Sequence, residues 1–172
     1  MTRFNRLQSV AGVLLAIVAA LPVARTQAQD AAPVLEHWLG EWRGPGTNSG
    51  APAKLLLNWE RALGGRFVRL TLVNEIGAQP PLQRFEGLAL YWAGADNHLN
   101  GRWFDSQGST HILDGVLAAN ALTSEWGDGT IARGRSTYRL AEPNVMEVID
   151  EIKRQDGTWR EFGRYRLTRV TS

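Results

Sequence analysis

Arg135–Leu167 reads RSTYRLAEPNVMEVIDEIKRQDGTWREFGRYRL, and its alternation sets the fold class. Asp156-Gly157 is a preferred pair for a two-residue type I′ hairpin turn. Such a turn pairs Gln155 with Thr158. Counting back then places Lys153 opposite Arg160, Glu151 opposite Phe162 and Glu147 opposite Arg166. Glu142-Pro143-Asn144, taken as a three-residue loop with Asn144 left-handed, sets Arg139 against Glu147 and Arg135 against Glu151. One face then carries Arg135, Arg139, Glu147, Glu151, Arg164 and Arg166. Opposite charges facing each other across strands stabilise such a surface by ~0.2–1 kcal/mol per pair. The other face carries Tyr138, Leu140, Met146, Val148, Ile152, Trp159, Tyr165 and Leu167. One wet and one apolar face is the pattern of antiparallel strands that cover a core on one side.

Upstream, the same grammar repeats. Turn signals fall at Gly64-Gly65, Gln79-Pro80-Pro81, Asp96-Asn97, Gln107-Gly108, Asn120 and Asp128-Gly129, with β-rich runs between them. No long 3.6-residue apolar period interrupts, although Pro33 to Leu39 suits one or two helical turns. Short strands at even spacing predict a meander of about ten. A meander of that size must bury one face and hide its edges, and closing on itself does both. The expected fold is all-β, an antiparallel up-and-down barrel with a short N-terminal helical segment.

The N-terminal 28 residues read differently. Arg3 and Arg6 precede an apolar run from Val10 to Val23, and Thr26-Gln27-Ala28 suits cleavage. Basic, apolar and cleavable regions in that order predict a secretory signal peptide over 1–28. The apolar run is short for a bilayer span of ~20 residues, so no membrane anchor is expected after cleavage. The chain has no cysteine, which excludes a lipoprotein anchor, disulfides and thiolate metal sites. The full chain has 19 Lys+Arg against 17 Asp+Glu. Without Arg3, Arg6 and Arg25, 16 basic residues face 17 acidic ones, a formal charge of −1. That balance leaves no electrostatic footprint for nucleic acid. One domain over 29–172 is expected, exported to the periplasm or beyond.

Three polar residues fall on the apolar face in this register: Ser136, Asp150 and Glu161. An unpaired buried carboxylate is costly, so these groups sit at a rim, are hydrogen-bonded, or face a cavity. The cavity option makes Tyr138, Asp150, Trp159, Glu161 and Tyr165 candidate ligand contacts, because pockets are mostly apolar with a few placed polar groups. A second candidate is Trp103-Phe104-Asp105-Ser106-Gln107-Gly108-Ser109-Thr110-His111. A type I turn with a bulge there pairs Asp105 with Ser109 and Trp103 with His111. Trp103, Asp105 and His111 then share a face, and His111 beside a carboxylate could act as a base. The simpler alternative has Asp105 capping its own turn. No G-x-S-x-G elbow, H-E-x-x-H helix or Walker loop occurs, and His37, His98 and His111 do not form a metal-spaced pair, so no metal is expected. His98, in the turn Asp96-Asn97-His98, reads as solvated.

Gly40-Glu41-Trp42-Arg43-Gly44-Pro45-Gly46 lacks the G-x-G-x-x-G spacing of a phosphate cradle. It resembles the G-x-W opening of calycin barrels. In lipocalin-like folds that tryptophan closes the barrel base under an arginine of the last strand. The resemblance makes Trp42 a structural residue, with Arg166 or Arg169 supplying the guanidinium. Leu63-Gly64-Gly65-Arg66-Phe67, Phe85-Glu86-Gly87 and Trp103-Phe104-Asp105-Ser106 with Gly108 extend it. Their order is similar to that of a bacterial calycin-like family, the domain of unknown function fifteen seventy-nine, which implies a barrel and no settled activity. Gly40-x-Trp42-x-Gly44-x-Gly46 also resembles the opening of nitrobindin, a haem barrel whose ligand is a histidine near the C-terminus. No histidine follows His111 here, so haem is disfavoured and no cofactor is expected.

The function these features predict is binding of a small, largely apolar molecule inside the barrel. Two alternatives stand beside it. One is an enzyme that uses Asp150 with Glu161, or Asp105 with His111, as an in-barrel acid–base pair. The other is an interaction module whose core is filled.

Overall fold

The computed structural model describes residues 35–127 and 132–171. The signal segment expected over 1–28 lies outside them, as do Pro33 and Val34. Within the described part of the expected helical segment there is a single 3-10 turn, Glu36–Trp38.

Ten strands follow: β1 (Gly40–Asn48), β2 (Ala51–Ala62), β3 (Phe67–Ile76), β4 (Gln83–Ala93), β5 (His98–Asp105), β6 (Thr110–Ala118), β7 (Ala121–Trp126), β8 (Gly134–Glu142), β9 (Val145–Lys153) and β10 (Trp159–Arg169). Each pairs antiparallel with the next, and β1 pairs with β10 to close the barrel. Period-two alternation drives this arrangement. In β2, Ala53, Leu55, Leu57 and Trp59 are buried. In β10, buried Gly163, Tyr165 and Leu167 alternate with exposed Arg164, Arg166 and Thr168. Closure leaves no unpaired sheet edge to invite association.

The glycines of the opening motif make the closure possible. A Cβ on Gly44 would lie 2.1 Å from the Arg166 carbonyl oxygen, and one on Gly46 2.2 Å from that of Arg164. Neither position has room for a side chain, so β1 presses against β10 only with glycine there. At the end where β1 starts, Trp42 is fully buried and its Nε1 donates to the Trp38 carbonyl at 2.8 Å. The Arg169 guanidinium lies 4.0 Å from the Trp42 ring centroid and donates to the carbonyls of Leu39 and His37. Gly40 there has φ +112°, a conformation other residues rarely adopt. Arg166 does not take this position. It shares the outward parity of Arg164 and pairs with Glu142 and Glu147 at 2.9 Å each. Arg169 shares the inward parity of Leu167 and stands directly opposite Trp42.

The register read from the last three strands holds in part. Arg139 faces Glu147, Arg135 faces Glu151, and Glu147 faces Arg166. Asn144 is not left-handed; the residue that adjusts the β8–β9 hairpin is Ala141, skipped between paired Leu140 and Glu142. The β9–β10 hairpin differs more. Its loop is Gln155-Asp156-Gly157, with Gly157 at φ +84° and Arg154 N–H bonded to the Thr158 carbonyl at 2.8 Å. Asp156 Oδ1 accepts from the Thr158 N–H and hydroxyl, which fixes the wider turn. Pairing therefore starts one residue off, with Trp159 opposite Lys153 and Glu161 opposite Glu151. A bulge at Phe162 restores the register at Gly163 opposite Asp150. Before the bulge the parity is reversed, so Trp159 and Glu161 face outward, contrary to the expectation that they line the interior. Trp159 lies under the Arg135 guanidinium, 4.4 Å from the ring centroid, and Glu161 pairs with Arg164.

Candidate functional site

The barrel interior is filled at the Trp42 end and hollow at the other. On the filled side Trp59 stacks on Tyr91 with ring centroids 5.9 Å apart and meets Tyr138 edge-on at 5.2 Å. Tyr91 and Tyr138 form the floor of a cavity of about 330 Å³ that reaches the opposite end. Volume of that order lies at the small end of the ~300–1,000 Å³ range of small-molecule sites.

One wall is aromatic. Phe85 stacks on Trp103 at 6.4 Å, and His111 lies 5.9 Å from Trp126. Trp103 and His111 face each other across β5 and β6, as the turn chemistry predicted. Glycines hold both indoles against the wall. A Cβ on Gly87 would come within 2.1 Å of the Trp103 ring, and one on Gly134 within 2.0 Å of the Trp126 ring. Any other residue there would push an indole into the hollow. Asp105 braces the same wall. Its Oδ1 accepts the N–H groups of Gln107 and Ser109 at 2.9 and 3.0 Å, and its Oδ2 accepts the Trp103 indole N–H at 3.1 Å. Both oxygens are engaged, which is the turn-capping role, and no hydrogen bond joins Asp105 to His111 among the described residues.

The facing wall is polar. Asp150 on β9 stands opposite Ser136 on β8 and Gly163 on β10. A Cβ on Gly163 would come 2.9 Å from Asp150 Oδ2 and 3.2 Å from the Tyr165 ring, so glycine leaves room for both. Burial pushes the Asp150 carboxyl up from 3.8 to about 6, and the Ser136 hydrogen bond opposes that shift. Accessible surface remains on Asp150, and that residue lines the cavity. The buried Tyr165 hydroxyl accepts the amide N–H groups of Asn74 at 2.7 Å and Asn48 at 3.1 Å. Asn74 is 5% exposed, and its Oδ1 has no partner among the described residues. Tyr91 donates to the Ser124 hydroxyl at 3.1 Å, and burial raises its phenol to about 12. Burial also raises Tyr138, with Tyr91 and Asp150 adding to the effect. Near neutral pH the wall thus presents protonated phenols around one mostly ionised carboxylate.

Of the residues singled out in the sequence, Trp103, Asp105, His111, Tyr138 and Asp150 line the cavity. Tyr165 is buried beside it and holds two lining asparagines. Trp159 and Glu161 are outside, which breaks the Asp150–Glu161 pair. Asn48, Asn74, Phe85, Ser124 and Trp126 were missed. A signal for two of them existed: Asn74 follows Val68, Leu70 and Leu72 at the inward phase of β3, and Ser124 lies between inward Leu122 and Trp126 in β7. The interior expected to be largely apolar is divided between an aromatic and a polar wall.

No family model matches the chain, and no curated protein matches it. Among solved structures, the S-type phycobiliprotein lyase CPES from Guillardia theta superposes with a TM-score of 0.56 at 9% identity. That alignment covers 84% of this chain and 94% of the lyase. The likeness is one of fold. A de novo designed fluorescence-activating β-barrel aligns with a TM-score of 0.44 at 15% identity, over 83% of this chain and 99% of the design.

Proposed function

We propose that the chain is exported by its N-terminal signal and that the mature barrel binds a small molecule in the open half of its lumen, as the calycin-like resemblance also suggests. One observation carries this: a cavity of about 330 Å³ between an aromatic wall and a polar wall. Protein interiors normally pack to crystal density. Here Gly87 and Gly134 leave room for two indoles against the wall, where larger residues would push them into the lumen. The filled-core alternative describes only the Trp42 end. The acid–base alternative loses support, since Glu161 is outside and Asp105 is engaged by its own turn.

Native mass spectrometry of the protein purified from its own compartment tests the proposal. A discrete added mass that disappears on denaturation is expected, with Trp103→Ala reducing its occupancy. The bare polypeptide mass, together with no quenching of tryptophan fluorescence by small aromatic compounds, would refute it.

A further inference from the structure

We infer that the lumen takes a planar cation, with a protonated amine or amidinium received by the Asp150 carboxylate and its ring laid on the Trp103–Trp126 wall. This rests on the lumen being a binding site, as proposed above, and adds the charge of the occupant.

The charge pattern of the two barrel faces supports it. Among the described residues, no lysine or arginine lines the cavity. The arginines of β8 and β10 nearest in sequence, Arg135, Arg139, Arg164 and Arg166, point outward and pair with Glu151, Glu147, Glu161 and Glu142. Strand parity keeps them from reaching inward. Asp105 is satisfied by its turn and by Trp103. Among the described residues, Ser136 is the neighbour that eases the burial of the Asp150 carboxyl, and no cationic group does so. A carboxylate removed from water without a counter-charge is costly. Asparagine would fill the same space without that cost.

The hydrogen-bond inventory points the same way. The amide donors of Asn48 and Asn74 go to Tyr165, and the Tyr91 hydroxyl goes to Ser124. The buried atom left without a partner in this wall is an acceptor, Asn74 Oδ1. Tyr165, which holds Asn74, lies with Asp150 over Gly163. A cationic N–H group would give Asp150 donors and counter-charge together. Indole faces opposite also attract cations through their quadrupoles.

Three matched probes test this at pH 7.5 by calorimetry: 1-naphthylmethylamine, 1-naphthalenemethanol and 1-naphthylacetate. The expected order is cation over neutral by about tenfold or more, with the anion weakest. Asp150→Asn should erase the cation's margin and leave the alcohol's affinity in place. Equal binding of cation and alcohol, preference for the anion, or a margin that survives Asp150→Asn would overturn the inference while lumen binding stands. If none of the three binds, lumen binding falls and the inference with it. Should Asp150→Asn fail to fold, the unmodified chain is read at pH 4.5, where Asp150 is protonated and the amine is still charged. The groups facing Asp150 are Ser136 and Tyr138 from β8 and Gly163 and Tyr165 from β10, and the tyrosines stay protonated throughout. His111 lines the same cavity, so His111→Gln is measured alongside. Loss of the margin in both chains supports the inference, and its persistence in His111→Gln overturns it.

Discussion

Asp150→Asn should make the protein more stable at neutral pH, not less. The folded state raises this carboxyl from 3.8 to about 6, mainly by burial. For an acid shifted upward, the native state holds the proton more tightly than the unfolded chain. Its favourable contribution is complete below about pH 4, is lost as pH rises toward about 6, and leaves a constant penalty above. A shift of about two pH units corresponds to about 3 kcal/mol at most. Asp150 keeps some accessible surface, which reduces that to about 1–3 kcal/mol. Asparagine keeps an acceptor for Ser136 and removes the charge. In a domain of this size, each kcal/mol moves Tm by ~3 °C, so the variant should melt ~3–10 °C higher at pH 7.5. Scanning calorimetry of both proteins at pH 4, 5, 6 and 7.5 would show the gap opening with pH and closing below pH 4. A variant less stable at pH 7.5, or a gap independent of pH, would refute the reasoning. Either result would mean that a cation or a hydrogen-bond network holds Asp150 in the folded state.

Other substitutions separate site from scaffold. Gly87→Val should drive the Trp103 ring into the lumen and weaken binding of any lumen ligand at least ~10-fold, for an overpacking penalty of ~1–3 kcal/mol; fluorescence titration and a thermal melt read the two effects. Arg169→Ala should lose ~2–4 kcal/mol, because the Trp42 contact and two carbonyl partners go together. Arg166→Ala, on the outer surface, should lose no more than ~1 kcal/mol, and urea unfolding distinguishes the pair. Trp159→Ala and Glu161→Gln should leave ligand affinity unchanged by calorimetry, since both side chains stand outside the barrel.

Much of the fold was legible because turn chemistry and strand parity are local. Asp105 with Gly108 reads as a bulged turn, and the Trp103–His111 pair follows by counting. The charged ladder of Arg135, Arg139, Glu147 and Glu151 follows from opposite charges needing to face each other across strands. The β9–β10 hairpin shows where counting stops. Asp-Gly serves both a two-residue and a three-residue turn, and the choice here depends on the Asp156 side chain capping Thr158. One residue of difference, cancelled by the bulge at Phe162, left Tyr165 correctly placed and turned Trp159 and Glu161 outward.

The sequence by itself determined an antiparallel barrel and the inward position of Asp150, because each rests on near-neighbour periodicity and turn preference. Tertiary structure decided which arginine covers Trp42, since that depends on how β10 meets a strand more than a hundred residues earlier. It also decided that the lumen is filled at one end and hollow at the other. Inward side chains have the same identities in either case. Only the packing of Trp103 over Gly87 and Trp126 over Gly134 shows that their volume is spent against the wall and not across the lumen.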